Sequence, residues 1–290
     1  MSIENGNQQV VYTNRSAHLV KNVREMFMEE YERDKNQFFD EDVEKIMNDD
    51  WFVKRFLIAR GRNVKNTSKM LIAAMRWRKN EDVRNTTMNM FPAAFHQIGG
   101  LFRYRDDKEG NAVIYFRIKY LFRIPEVSNA LKKYGAFIMY KLDEDVHNST
   151  AKGFTGVIDF AGTGMKNCEL GMLRYCITIL TQYMPAGVNH ILVANLPSIL
   201  RAFWFTTKGW IPENRRKLVQ FVNSETITEF IDSENLPKFL GGTCKQPYRG
   251  DEVVPDNCIS IMDFAISIGV DVARAKEIHQ FYEPYLEEED

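Results

Sequence analysis

The sequence predicts an α/β protein, with a helical N-terminal lobe followed by a mostly parallel β-sheet flanked by helices. Three observations carry this. Apolar residues recur every three or four positions through the first ninety or so residues. After Gly99-Gly100 the period changes to short apolar runs bounded by turn residues. Those runs then alternate with helical stretches, which is how a parallel sheet with crossover helices reads.

Residues 1–14 are polar and are expected to be disordered. From Arg15 to Arg33, Leu19, Val23, Met26, Phe27 and Tyr31 fall at helical spacing. A short helix is expected over Glu41–Met47, with Asp40 as its N-cap. Asp49 and Asp50 lead the next helix, Trp51–Arg60, and Gly61 stands where a C′ glycine ends it. Val64, Ser68, Leu71 and Met75 continue the helical period to Lys79.

In the second half, Leu101–Arg105 and Val113–Lys119 flank a turn-rich loop, Asp106 to Asn111. Along the second strand Ile114, Phe116 and Ile118 point one way, and Tyr115, Arg117 and Lys119 the other. A helix is expected over Val127–Val146, a strand over Phe154–Phe160 and a helix over Cys168–Tyr183. The strand His190–Asn195, a helix after Pro197 carrying Ile199, Leu200, Phe203 and Trp204, and a last strand over Lys217–Phe221 complete the series. Near-continuous apolar runs fit strands buried on both faces. Beyond Asp251, Ile261, Phe264, Ile266, Val270 and Val272 point to a packed or partner-binding helix ahead of an acidic end.

Composition narrows the function classes. The net charge is −1, so nothing pulls the whole chain toward nucleic acid. The four cysteines form no CxxC pair and stand away from any histidine cluster, so reduced thiols are expected, with no zinc site and no disulfide framework. The N-terminus has no basic and apolar leader pattern, and no apolar run reaches the length of a membrane span. A cytoplasmic protein with peripheral membrane contact is the expectation.

Catalytic motifs are weak. Gly162-Thr163-Gly164 follows a strand, but Asn167 stands where a dinucleotide loop needs its third glycine, so a βα turn is the better reading. The five histidines show no metal-ligand spacing, and there is no nucleophile elbow. Asp159 ends an apolar strand, where hydrogen bonding or capping is the expected role. Gln37-Phe38-Phe39-Asp40 follows an acidic stretch, in the manner of linear motifs bound by endoplasmic-reticulum receptors; Glu41 does not fit that pattern, and a helix start with buried phenylalanines is preferred.

The stretch Pro197–Leu218 stands apart. Phe203, Trp204, Phe205, Trp210 and Ile211 crowd one helix and the loop after it. Adjacent helical residues point about 100° apart, so three consecutive aromatics cannot all face one core. Between Arg201 and Lys217, five basic residues face one acidic residue, a local excess of four positive charges. Aromatic and basic side chains together are what a peripheral bilayer contact needs.

Several segments, taken in order, resemble the CRAL-TRIO family. Trp51–Arg60 with Ala73–Lys79 looks like its helical N-terminal part, and Gly156–Phe160 is similar to its central strand. Met184-Pro185 before His190–Asn195 and Leu196-Pro197 resembles its Tyr-Pro-Glu, strand, Asn-x-Pro pattern. Asn235–Gly242 matches its closing Leu-Pro-x-x-x-Gly-Gly. Within the family the nearer likeness is to members that continue into a sperm-protein domain. The resemblance implies a CRAL-TRIO fold with a hydrophobic lipid pocket floored by the sheet and closed by a mobile helix.

It further implies a binding protein without catalytic residues, holding a lipid and exchanging it with membranes. Phe203, Trp204, Phe205, Lys208, Trp210 and Ile211 fall on the gate and membrane contact. Lys217, Arg215, Arg216, Arg55 and Arg60 are the candidates for the lipid headgroup or phosphate. Ala186 replaces the family's glutamate, and Asn214 the threonine before Lys217, so phosphate contact is implied without the usual inositol contacts. The expected domains are 1–14 disordered, 15–90 helical lobe, 91–246 lipid-binding domain and 247–290 C-terminal extension. No metal and no cofactor besides the lipid ligand are expected. The expected partners are a lipid, an endomembrane surface and an endoplasmic-reticulum or endosomal protein. The rival reading is a non-transferring adapter at organelle contacts, with a vestigial pocket.

Overall fold

A computed structural model describes residues 4–149, 153–164, 167, 170–185, 187–200, 204–205, 208–211 and 213–288; side chains are described outside residues 4–16, 170, 173, 199, 214 and 215. The chain divides into two compact units, Met1–Arg84 with Thr178–Gly187, and Asn85–Ile177 with Val188–Asp290.

The first unit is helical. α1 runs Glu4–Arg33, starting ahead of the expected Arg15, and is followed by α2 (Asp40–Asn48), α3 (Asp50–Ala59) and α4 (Val64–Asn80). Asp49 caps α3 by accepting the Phe52 amide at 3.0 Å, an interaction worth about 0.5–2 kcal/mol. Gly61 ends α3 with a φ of 60°, as expected of a C′ glycine. At α2 the cap differs from expectation. Phe39 occupies the N-cap position and Asp40 the first helical one, without a side-chain cap bond. Asp40, Glu41 and Asp42 then share the first turn, where the helix dipole favours negative charge. Phe38 and Phe39 are buried, so the segment is a helix start and is not displayed as a linear motif.

Val23, Phe27, Ile46, Phe52, Phe56, Leu71 and Met75 form the core of this unit with no exposure. Asp42 is buried with them, accepting from Arg78 at 2.9 Å and Arg84 at 2.5 Å. Burying a lone carboxylate would cost several kcal/mol, so two guanidiniums on one carboxylate are what make the position tolerable. The expected helix Cys168–Tyr183 is α-helical only to Thr178 and ends in one π-turn, Ile179–Tyr183. Tyr183 stacks on Trp77 at 5.3 Å.

The second unit carries a five-stranded sheet in the order β1-β2-β3-β4-β5. The strands are β1 (Leu101–Asp106), β2 (Ala112–Arg117), β3 (Gly153–Asp159), β4 (Gly187–Ala194) and β5 (Val219–Val222). β1 pairs antiparallel with β2, while β2–β3 and β4–β5 are parallel. Phe160 N–H donates to Ala194 O at 3.0 Å, which brings the C-terminal ends of β3 and β4 together. β2 stops at Arg117, short of the expected Lys119, because Ile118–Tyr120 turns into a 3-10 helix. Also in this unit are α5 (Ala93–Gln97), α6 (Ser128–Asn148), most of α7 (Leu170–Thr178), α8 (Glu213–Arg216), α9 (Ile261–Ser267) and α10 (Val272–Leu286).

Strand register sorts the sheet into two faces. Val113, Tyr115, Val157, Leu192 and Ala194 lie on one face, packed against Ile227, Ile231, Leu236 and Leu240. Ile114, Phe116, Phe154 and Ile158 lie on the other with Ile191, Val193, Val219 and Phe221. Right-handed crossovers that always add the next parallel strand on the same side place their helices on one face. Phe116 accordingly shares a small pocket of about 40 Å³ with Leu131 and Tyr134 of α6 and Met172 and Cys176 of α7.

The closing glycines have separate reasons. Gly241 holds a φ of 85°, and a Cβ on Gly242 would lie 1.9 Å from Leu236 O. No other residue fits the second position without moving the backbone.

Candidate functional site

Helices cover the second face at β1–β3, and at β4–β5 the described residues bury Val193 but cover the rest only in part. Ile191 is half-buried there and Phe221 is 54% exposed. Above β5 lies a cleft of about 510 Å³, lined by Val193, Asn195, Leu196, Trp204, Phe205, Phe221, Val222 and Asn223. None of these residues titrates, so the cleft is built to bury apolar matter rather than to move protons.

The segment after Pro197 supplies its rim. Ser198–Leu200 is a 3-10 turn, Trp204 and Phe205 are helical, and Lys208–Trp210 is a second 3-10 turn. The expected unbroken helix from Ser198 to Lys208 runs partly outside the described residues, and Phe203 lies outside them. Trp204 packs edge-on against Phe221, ring centroids 5.4 Å apart. Phe205 turns outward and is 64% exposed, which is how the helix resolves adjacent aromatics. Lys208 Nζ sits 4.4 Å from the Phe205 ring, a cation–π contact worth about 0.5–1 kcal/mol at an exposed position. Trp210 and Ile211 are half-buried.

The basic candidates fall in two places. Arg216 and Lys217 are exposed just before β5, and Arg216 Nε donates to Ile211 O at 3.1 Å. The Arg215 side chain lies outside the described ones. Arg55 is buried in α3, and Arg60 is half-buried, its Nη2 donating to Thr181 O at 2.8 Å. Both belong to the first unit.

At the carboxyl ends of the strands the structure assembles a polar group that sequence reasoning saw only in part. Asp159 Oδ1 accepts from Ala161 N–H at 3.1 Å and from Asn195 Nδ2 at 2.8 Å, the hydrogen-bonding role expected of it. Asp159 Oδ2 is buried and has no hydrogen-bond partner among the described residues. Arg117 stands opposite Asp159 in the strand register, fully buried, its guanidinium 4.0 Å from the Phe239 ring. Besides Asp159, the sequence signal for this group was an Asn after an apolar strand and before Leu-Pro. Asn195 takes a φ of 56°, a conformation Asn tolerates better than most residues.

The chemistry of these groups is that of binding. Among the described residues no group of His, Cys, Asp or Glu could hold a metal. The described cysteines, Cys176, Cys244 and Cys258, are free. Burial pushes the Cys176 thiol up to about 12, far from a reactive thiolate at neutral pH. Among the described residues no helix is long and apolar enough to cross a membrane.

A mixed sheet with one sealed face and one open apolar face, cleft included, is the frame of a small-molecule binding domain. The chain belongs to the CRAL/TRIO domain family, whose pattern matches residues 96–242, about half its length. The family is one of lipid-binding carriers. Among curated relatives, CRAL-TRIO domain-containing protein C365.01 of Schizosaccharomyces pombe is 24% identical over 199 residues, covering 65% of this chain and 56% of that protein. CRAL-TRIO domain-containing protein C3H8.02 of the same yeast is 24% identical over 201 residues, covering 61% of this chain and 44% of its own length. The chain thus spans about half the length of these relatives. A crystal structure of Sfh5 matches with a TM-score of 0.57 at 15% identity, covering 97% of this chain and 100% of that one. That likeness is one of fold.

Proposed function

We propose that the second unit takes up one hydrophobic lipid, a phospholipid or similar, through the cleft over β4 and β5 and exchanges it with membranes. One observation carries the reading. The open sheet face ends in an apolar cleft of about 510 Å³ whose described lining residues carry no titratable group, within the roughly 300–1,000 Å³ of small-molecule sites. Each acyl CH₂ buried there contributes about 0.8 kcal/mol. Trp204, Phe205, Trp210 and Ile211, with Phe203, form the gate in this proposal, and Lys208 holds it at the bilayer. Arg216 and Lys217, with Arg215, contact the headgroup or its phosphate.

The protein works in this reading as a peripheral lipid-transfer or lipid-sensing protein of the cytoplasm and endomembranes. Its nearer likeness within the family is to the N-terminal domain of motile sperm domain-containing protein 2. An adapter with a vestigial pocket is disfavoured by the volume of the cleft. Native mass spectrometry of the purified protein, with extraction of bound lipid, is the test. One lipid per chain is expected. A protein that stays empty after incubation with mixed liposomes sinks the carrier reading.

A further inference from the structure

A second polar site lies where β2 ends, and it shares no residue with the cleft. The 3-10 turn Ile118–Tyr120 buries Tyr120, and three cations gather around its ring. Arg117, Lys119 and Arg249 lie 4.9, 4.7 and 5.7 Å from the ring centroid. Three positive groups on one ring repel one another, and an anion between them relieves that repulsion.

The anion is supplied by the chain. Glu288 follows the end of α10 and turns back onto this group. Its Oε1 accepts from Lys119 Nζ at 2.7 Å and its Oε2 accepts from the Tyr120 hydroxyl at 2.9 Å. Arg249 Nη1 donates to the same hydroxyl at 2.9 Å, and Nη2 donates to Tyr285 O at 2.8 Å. The Tyr120 hydroxyl therefore accepts from Arg249 and passes its own proton toward Glu288, a chain in which each bond strengthens the next. Burial works against the Glu288 charge. The bonds from Lys119 and Tyr120 and the charges of Lys119 and Arg249 outweigh it and hold the carboxyl below its ordinary value.

A carboxylate held by an ammonium, a hydroxyl and a nearby guanidinium meets the donor set that holds a phosphate. The site also reaches solvent, with Lys119 17% and Glu288 38% exposed. We propose that Lys119, Tyr120 and Arg249 form a binding site for a phosphate group, which Glu288 fills as an internal stand-in, so that phosphate binding and docking of the segment after α10 exclude each other. The phosphate belongs either to a lipid headgroup or to a soluble phosphate compound. The site does not depend on the lipid cleft. It would stand if the cleft proved empty.

The test compares the full chain with Glu288→Gln. Inorganic phosphate is titrated by calorimetry, and binding to phosphatidic acid vesicles in phosphatidylcholine is measured by flotation against pure phosphatidylcholine. Removing an internal competitor present at high effective concentration should tighten binding by about tenfold. Adding Lys119→Met to Glu288→Gln should abolish the gain, while thermal unfolding confirms that both variants fold. A gain on phosphatidic acid vesicles identifies a headgroup site, and a gain with inorganic phosphate alone identifies a site for a soluble phosphate. No gain with either probe, or a gain that survives Lys119→Met, overturns the proposal and leaves Glu288 as a clasp for α10.

Discussion

The two faces of one sheet have been put to different uses. On the sealed face Val113, Tyr115, Val157, Leu192 and Ala194 are almost wholly hidden under the segment from Ile227 to Cys244. Phe102, Tyr115 and Tyr248 stack there with centroids 5.3 and 5.1 Å apart. On the opposite face the sheet offers equally apolar residues, yet at its β4–β5 end Ile191 is half-buried and Phe221 is mostly exposed. Hydrophobicity alone does not tell the faces apart. What differs is whether the chain spends its own residues to cover them. The sealed face contributes stability, and the other face keeps apolar area at Ile191 and Phe221 that the described residues do not fully cover.

That contrast can be broken most forcefully at Leu192, which has no exposure. Leu192→Ala should cost about 2–5 kcal/mol through lost burial and the cavity left behind, read as a lower urea midpoint. A loss near zero would mean the face is not sealed. Phe221→Ser on the open face should shift the same midpoint by under about 1 kcal/mol while sharply reducing co-purified lipid. If it unfolds the protein as Leu192→Ala does, the two faces are not distinct. The smallest effect on folding is expected from Arg216→Glu with Lys217→Glu, both exposed. Stability should be unchanged within about 0.5 kcal/mol. Binding to anionic vesicles should fall by tenfold or more at low salt, since each basic group near such a surface is worth about 1 kcal/mol. Equal binding by the double variant removes these residues from the membrane contact.

Much of this fold was legible in the sequence. The apolar runs that became β2 and β3 were visible, because strands buried on both faces leave almost no polar residue to blur them. Helix ends were legible where a residue type had one physical use, as at Gly61 with its positive φ and Asp49 with its cap. They were misread where two signals competed. Asp40 is a good N-cap residue, but the helix took it into its first turn and left Phe39 outside. The aromatic rim of the cleft was legible through a geometric impossibility, three neighbouring aromatics that one helix cannot bury on one face. The partners of buried charges were not legible. Arg117 is brought level with Asp159 only by strand register, Asp159 accepts from Asn195 across 36 positions, and Glu288 reaches Lys119 from 169 positions away. No local pattern encodes such contacts, since they are made by topology rather than by spacing.

The strand order carries one more consequence, for how the protein is made. Because each strand lies beside the one before it, the sheet can assemble in the order in which a ribosome releases it. β1, β2 and β3 can pair as soon as residue 159 has emerged, without waiting for a distant partner. The cover of the sealed face, Ile227 to Cys244, emerges only after β5. A nascent chain halted before Ile227 would therefore expose the later-sealed face of a nearly complete sheet, and would be the species most in need of a chaperone during synthesis.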